Sequence, residues 1–382
     1  MIKNVYYEML KKYYSHFSTA DGIFFIYFVT DFLRLYQIIP VFIGNVAYVV
    51  IGLTSIGYTI NRRGLKRQKV IVMFWCAYST FGIIGVFTNG NIDIQEILWP
   101  FAFMGLSMLL LNFTISTAVS KFMYIFAVIT FITNILVVGS INEVSLLTSR
   151  NSVSTIMLFY FCVYSISMFE NKHKISIIYP LLGLFVSVLS IGRSGILTFL
   201  LLLILLLLFE FKFDKYSLGY IKKLFPLIIP IMIFIAISYC IFDDFILETF
   251  NNISTRGLES TRGLIWSEYL FKTFKSPLFI IFGTPISGTH LLDLYHENLH
   301  NSLLMVHAKY GLIQLVIILF MIVKAIVVNI KLKNYLFLTL IITVIFRMQF
   351  DYTNFNAQLD IVFFYLIFYV SFNLNLKTKM TK

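Results

Sequence analysis

The residues best suited to chemistry are concentrated in one polar part of the chain. Between Asp243 and Asn301 nearly sixty mostly polar residues interrupt the apolar segments. Four of the six histidines lie in or just after the end of this loop, and they are His290, His296, His300 and His307. Arg256 and Arg262 precede all four of them in the same loop. Histidine exchanges a proton near neutral pH and arginine binds anionic oxygens, so the pattern predicts acid–base chemistry on an anionic group.

A third arginine, Arg193, stands in the segment SIGRSG between two apolar runs. An arginine beside hydrocarbon is costly unless it meets an anion or water, so it is either a snorkelling side chain or part of an anion site. In the second interpretation Gly192 and Gly195 allow close backbone approach, and the guanidinium binds phosphate oxygens. Arg262, in the segment STRGLIW, is either a solvated loop residue or the second half of that phosphate site.

The histidine spacing allows a metal site as an alternative. His296, His300 and His307 are four and seven residues apart, which predicts one helical face, although histidines of this kind also serve as interfacial residues. The segment HENLH matches H-E-x-x-H, in which two histidines bind zinc and the glutamate acts as a base. The metzincin continuation needs a glycine and a histidine where Leu303 and Val306 stand. A zinc protease is therefore a minor alternative, and we predict no metal and no cofactor.

Composition indicates an integral membrane protein. Hydrophobic residues make up 59% and charged residues 13%, and the mean hydropathy is +0.86. About 20 apolar residues cross a bilayer core, and the chain offers twelve such segments. They cover roughly residues 20–37, 40–60, 70–88, 98–113, 122–140, 153–169, 176–191, 195–211, 225–242, 301–326, 335–348 and 359–374. The predicted fold is an all-α polytopic membrane protein.

The basic residues predict its orientation. They cluster at the N-terminus, in NRRGLKRQK after the second span, in later alternate loops and at the C-terminus. By the positive-inside rule this side and both termini are cytoplasmic. We divide the chain into spans one to nine (1–242), a large external loop (243–300), and spans ten to twelve with a cytoplasmic tail (301–382). The net charge of +12 then reflects topology and contact with anionic lipids rather than nucleic acid.

An external site excludes cytoplasmic donors such as nucleotide sugars and favours lipid-linked substrates. A non-enzymatic flippase or transporter of such lipids is the alternative, and it would need ionisable groups at mid-membrane. The candidates are few, namely Asp31, Arg34, Lys324 and Arg347. The spacing of Asp31 and Arg34 also allows a structural pair within one helix.

Three segments together resemble the O-antigen polymerase and O-antigen ligase superfamily (Wzy/WaaL). These are SIGRSGILTFLLL, STRGLIW in a long outward loop, and HNSLLMVHAKYGLIQL. The resemblance covers roughly residues 187 to 315 together with the twelve-span layout. The chain departs from the family at Ile191-Gly192, and His296 and Glu297 crowd the His-Asn motif.

The resemblance implies a GT-C-like, metal-independent glycosyltransferase in the bacterial plasma membrane. It would polymerise undecaprenyl-diphosphate-linked oligosaccharide repeat units into O-antigen or capsular polysaccharide, alongside a flippase and a chain-length regulator. The ligase alternative transfers polymer to lipid A core. By matching positions, His300 would be the catalytic histidine, with His296 as the other candidate. Arg193 and Arg262, with Arg256 beside them, would bind the diphosphate.

Overall fold

The computed structural model describes residues 17–90, 97–138, 150–190, 192–213, 262–288, 290–294, 297–355 and 357–380. Within these ranges every regular element is helical and there is no strand. The predicted span at 225–242, Arg256 and His296 lie outside the described residues. The other eleven predicted spans each coincide with a helix.

The helices follow the chain in this order: α1 Thr19–Leu35, α2 Val41–Arg63, α3 Lys69–Thr88, α4 Trp99–Asn112, α5 Thr117–Val138, α6 Arg150–Glu170, α7 Ile178–Leu189, α8 Arg193–Phe213, α9 Arg262–Thr273, α10 Pro277–Phe282, α11 His290–Leu294, α12 Ser302–Lys331, α13 Tyr335–Met348 and α14 Leu359–Met380. A short 3₁₀ helix, Leu65–Gln68, joins α2 to α3.

Five helices among the described residues are long and apolar enough to cross a membrane. They are Val41–Arg63, Lys69–Thr88, Thr117–Ile135, Asn151–Glu170 and Ser302–Lys331. Five shorter apolar helices accompany them, so the chain is an all-α membrane protein with several apolar helices, as composition predicted. The count of twelve spans stays a prediction.

The centre of the bundle is formed by α6 and the first half of α14. In α6, 89% of the most apolar window is buried inside the protein, against 28% in α2, α3 and α12. Residues 359 to 368 of α14 are buried throughout, against α4, α6, α12 and α13. A helix that is apolar all round is stable only when surrounded. The more exposed α2, α3 and α12 have the apolar surface that lipid requires.

Two glycines bring α2 and α4 into backbone contact. A methyl group on Gly52 would lie 2.1 Å from the carbonyl oxygen of Phe101, and one on Gly105 would lie 2.3 Å from that of Gly52. Small residues permit such close approach between membrane helices. The contact holds the start of α4, with Trp99, beside α2.

A kink in α12 receives the short helix α10. Gly311 has φ +79°, a left-handed conformation that glycine adopts without steric cost, and a methyl group there would lie 2.4 Å from the carbonyl oxygen of Ile281. Gly283 after α10 also has positive φ and abuts the carbonyl oxygens of His307 and Ala308. These contacts place the α9–α10 segment against the first turns of α12.

Candidate functional site

His300 lies immediately before α12 and not within a helix. Asn301 caps α12, because its side-chain oxygen accepts hydrogen bonds from the backbone N–H groups of Leu303 and Leu304 at 3.0 and 3.1 Å. His300 has φ +49°, and its N–H donates to the side chain of Asn298 at 2.8 Å. The expectation that His300 and His307 share a helical face is therefore wrong, because the cap interrupts the helix between them.

Asn301 and Ser302 also form hydrogen bonds to the loop between α13 and α14. The side-chain amide of Asn301 donates to Gln349 at 3.1 Å. The hydroxyl of Ser302 donates to the carbonyl oxygen of Asp351 at 2.8 Å and accepts from the N–H of Thr353 at 3.0 Å. These bonds bring the carboxylate of Asp351 next to His300.

His300 and Asp351 form a histidine–carboxylate pair. Nδ1 of His300 donates to Oδ1 of Asp351 at 3.3 Å, and the side chains are 27% and 16% exposed. Burial would raise the pKa of Asp351, but the hydrogen bond from His300 and the charge of Arg347 outweigh it and hold this pKa below its ordinary value. Asp351 is thus an anion that orients the ring, and a proton on Nδ1 leaves the lone pair on Nε2.

Arg347, near the end of α13, interacts with the carboxylate of Asp351. Its side chain is fully buried, and Nη2 lies 3.8 Å from Oδ2 of Asp351. The guanidinium donates to the hydroxyls of Thr155 and Ser194 at 3.2 and 2.9 Å and to the carbonyl oxygen of Asn151 at 3.0 Å. It thereby ties α13 to the starts of α6 and α8. A transporter could use a mid-membrane arginine, but these bonds give Arg347 a structural role.

Arg262 is the first residue of α9, and it lies near both Asp351 and Arg193. Burial lowers its pKa most, Asp351 raises it, and the positive charge of Arg193 lowers it again. The two arginines predicted to share an anion are therefore close enough to interact. Trp266, one turn further on, donates from its indole N–H to the carbonyl oxygen of Leu299 at 2.7 Å, which ties α9 to the residue before His300.

In the SIGRSG segment, some residues contact neighbouring helices and one lies near the site. A methyl group on Gly195 would lie 2.2 Å from Cβ of Ser154, so this glycine permits close contact between α8 and α6. Ser194 accepts from Arg347, and Arg193 stands at the start of α8 beside Arg262. The contact with Ser154 favours the structural interpretation of Gly195, and the anion-binding role of Arg193 stays a prediction.

The other histidines have different surroundings. His307 is buried, with Nδ1 bonded to the hydroxyl of Tyr269 at 2.5 Å and Nε2 to the carbonyl oxygen of Ile280 at 2.8 Å. It joins α12 to α9 and α10. His290 is exposed on α11. The zinc alternative needs a helix through HENLH, whereas Glu297 and His300 both have left-handed backbone and belong to no helix.

His300 and Asp351 open onto a cavity of about 520 Å³. Its lining comes from the ends of α1, α2, α4 and α6, the residues before α12, and the loop before α14. Asp31 is buried in this wall and accepts from Tyr48 at 2.5 Å and from Tyr160 at 2.7 Å. Arg34 donates to Asn45 at 2.8 Å, so each member of the expected Asp31–Arg34 pair has hydrogen bonds to other partners.

Sequence reasoning missed Asp351 and considered Arg347 only for transport. The available signal was an arginine and an aspartate four residues apart at the end of an apolar span, in RMQFDYTN. Comparison with protein-family models, with curated proteins and with solved structures gives no match. The function must therefore be argued from the geometry of His300, Asp351 and the two arginines.

Proposed function

We propose that the protein is a glycosyltransferase that polymerises undecaprenyl-diphosphate-linked oligosaccharide repeat units on the outer face of the bacterial plasma membrane. One observation carries the proposal. A histidine–carboxylate pair, His300 and Asp351, opens onto a cavity at the end of a membrane bundle, with Arg262 and Arg193 beside it. The twelve-span, GT-C-like architecture is part of this proposal.

His300 would act as the general base. Nε2 of His300 takes the proton of the acceptor hydroxyl while the oxygen of that hydroxyl forms a bond to the anomeric carbon of the donor sugar. The bond from that carbon to the diphosphate oxygen breaks, and its electron pair leaves with the diphosphate. Asp351 holds the ring in the required tautomer and stabilises the positive charge that develops on it. A positioned base of this kind contributes roughly 10²–10⁴-fold.

Arg262 and Arg193 would stabilise the leaving group. Negative charge grows on the diphosphate as the anomeric bond breaks, and a guanidinium offers two parallel donors to phosphate oxygens. Loss of one such donor costs on the order of 10²–10³-fold in related electrostatic sites. The mutual repulsion of the two arginines also favours binding of an anion between them. Arg347 is already bonded to Asp351 and three other groups, so it supports the base and does not bind the substrate.

The proposal requires this end of the bundle to face outward. The starts of α6, α8 and α12 and the end of α13 meet at the site, and the positive-inside assignment makes all four external. Reporter fusions after Lys174 should therefore score cytoplasmic and fusions near Ser260 external. A cytoplasmic signal near Ser260 would contradict the use of lipid-linked donors.

The direct test replaces His300 in cells that make the polysaccharide. His300→Ala should abolish the ladder of polymer lengths on a gel while lipid-linked single repeats accumulate, because only proton removal is lost. His290→Ala is the matched control, since His290 is exposed and does not line the cavity, and its ladder should be complete. A complete ladder with His300→Ala, at equal protein level in the membrane, would overturn the proposal.

A further inference from the structure

The cavity at His300 has a second end, formed by α1, α2, α4 and the loop before α14. The residues lining this end include Asp31, Arg34, Tyr48, Trp99, Phe103 and Gln358. Arg193 and Arg262 do not line the cavity in the described part of the chain. The lining of this cavity therefore includes both the base and a mixed wall, and it does not include the two arginines of the predicted diphosphate site.

One side of this wall is aromatic. The rings of Trp99 and Phe103 are nearly parallel, at 5° with centroids 5.6 Å apart, and the ring of Tyr48 lies 6.2 Å from that of Trp99. The Gly52–Gly105 contact holds α4 against α2 and so fixes these rings relative to each other. Rigid aromatic walls with a few placed polar groups are typical of small-molecule sites. Such walls bind the apolar C–H faces of a ligand.

The other side of the wall is polar and already ordered. The carboxylate of Asp31 accepts from Tyr48 and Tyr160. With its side-chain amide turned so that the NH₂ group faces Asp31, Gln358 also donates to this carboxylate at 2.8 Å. Arg34 lies 5.5 Å from the centre of the Tyr48 ring. A carboxylate in the wall disfavours a phosphate, whereas hydroxyl groups can pair with both amide and carboxylate oxygens. The chemistry fits an uncharged ligand rich in hydroxyl groups.

We propose that this end of the cavity binds the terminal sugar of the acceptor. The inference rests on the proposed function and assigns its two substrates to opposite sides of His300. The acceptor sugar lies against Trp99 and Gln358, and the donor diphosphate lies at Arg262 and Arg193. A volume of about 520 Å³ falls in the usual range of ligand sites and accommodates the end of an oligosaccharide.

The experiment measures sugar binding without catalysis. The probe is the lipid-free repeat-unit oligosaccharide, released by mild acid from the lipid-linked precursor of the same cells. Saturation-transfer NMR with the full chain in detergent gives its Kd. Wild type should bind it. Trp99→Leu and Gln358→Ala should each weaken binding by about tenfold, the scale of one lost aromatic or hydrogen-bonding contact.

Two variants serve as matched controls. Trp75→Leu removes a tryptophan of α3 that packs edge-on against Phe101 outside the cavity, and it should bind the sugar like wild type. Arg262→Ala should also bind the free sugar like wild type but lose the response to inorganic pyrophosphate. If Trp99→Leu and Gln358→Ala bind the sugar normally, or if Arg262→Ala alone abolishes sugar binding, the subsite is wrong.

Failure of the subsite and failure of the proposed function give different results. If His300→Ala still makes polymer while Trp99→Leu loses sugar binding, the subsite stands and the base is wrong. If His300→Ala stops polymer while Trp99→Leu binds sugar normally, the glycosyltransferase stands and the acceptor lies elsewhere. Thermal unfolding of each variant shows whether Trp99→Leu is folded, and Trp99→Phe provides a milder second variant.

Discussion

Nδ1 of His300 lies 3.3 Å from Oδ1 of Asp351, although 51 residues separate them along the chain. The pair forms because Asn301, which caps α12, and Ser302, its first residue, also bond to the segment that follows α13. A carboxylate behind a histidine fixes its tautomer and stabilises its charged form. The helix cap therefore determines both the position and the orientation of the proposed base.

Replacement of Asp351 by asparagine should remove most activity with little change in shape. Asp351→Asn keeps the size of the side chain but loses the charge that stabilises protonated His300. We expect the polymerisation rate to fall about 10²- to 10⁴-fold, the range for loss of a catalytic base or its carboxylate partner. Incorporation of labelled repeat units by purified protein measures this, with Asp293→Asn on exposed α11 as control. An unchanged rate would exclude Asp351 as the partner of the base.

The difference in Tm between wild type and Asp351→Asn should depend on pH. The pKa of Asp351 in the folded protein lies below its ordinary value of 3.8, so its contribution to stability is present above that pH and is lost as pH falls through the lowered value. The Tm of wild type in detergent should exceed that of Asp351→Asn by a constant margin near neutral pH. The margin should shrink below about pH 4. A margin that grows on acidification would contradict the direction of the shift.

Pyrophosphate should raise the Tm of the protein by binding to Arg193 and Arg262. Saturating pyrophosphate should raise the Tm of wild type, because a ligand at 100 times its Kd stabilises by about 2.7 kcal/mol. Arg262→Ala and Arg193→Ala should lose this response. Arg262→Lys should restore little of it, since an ammonium lacks the bidentate geometry. Arg62→Ala, on the exposed end of α2, should respond like wild type. A normal response in Arg262→Ala would remove this residue from the anion site.

Much of the helical layout could be predicted because apolar runs of spanning length have few other solutions in lipid. His300, Arg193 and Arg262 could be selected as candidates because ionisable groups beside such runs are rare, and their roles stay predictions. Asp351 could not be recognised alone, since its role depends on a contact across 51 residues. The two interpretations of Gly195 could not be separated, because a glycine beside an arginine suits a phosphate as well as a neighbouring helix. Only the packed structure distinguishes these uses.

His307 should behave as a structural residue. Nε2 donates to the carbonyl oxygen of Ile280, so Nδ1 accepts from the hydroxyl of Tyr269. His307→Ala removes a hydrogen bond from each of two partners and should cost roughly 1–3 kcal/mol, and Tyr269→Phe should cost about 1 kcal/mol. Polymer should still form at low temperature in both variants, as judged from gels and from Tm. If His307→Ala were inactive with a normal Tm, His307 would belong to the catalytic machinery.

The loss of stability caused by Gly195→Ala should be compensated by Ser154→Gly. In Gly195→Ala the new methyl group would lie 2.2 Å from Cβ and 2.3 Å from the hydroxyl of Ser154, so α8 must move away from α6. Overpacking of this kind costs about 1–3 kcal/mol. Activity should fall as well, because Arg193 stands at the start of α8.

The double variant Gly195→Ala with Ser154→Gly removes both clashing atoms and should recover most of the lost Tm and polymer. Ser154→Gly alone should cost only about 0.5–1 kcal/mol, the usual effect of glycine within a helix. The measurement is a double-mutant cycle of Tm and of ladder length across the four proteins. Costs that simply add would show that Gly195 is required for something other than this contact, and the phosphate interpretation of SIGRSG would then regain support.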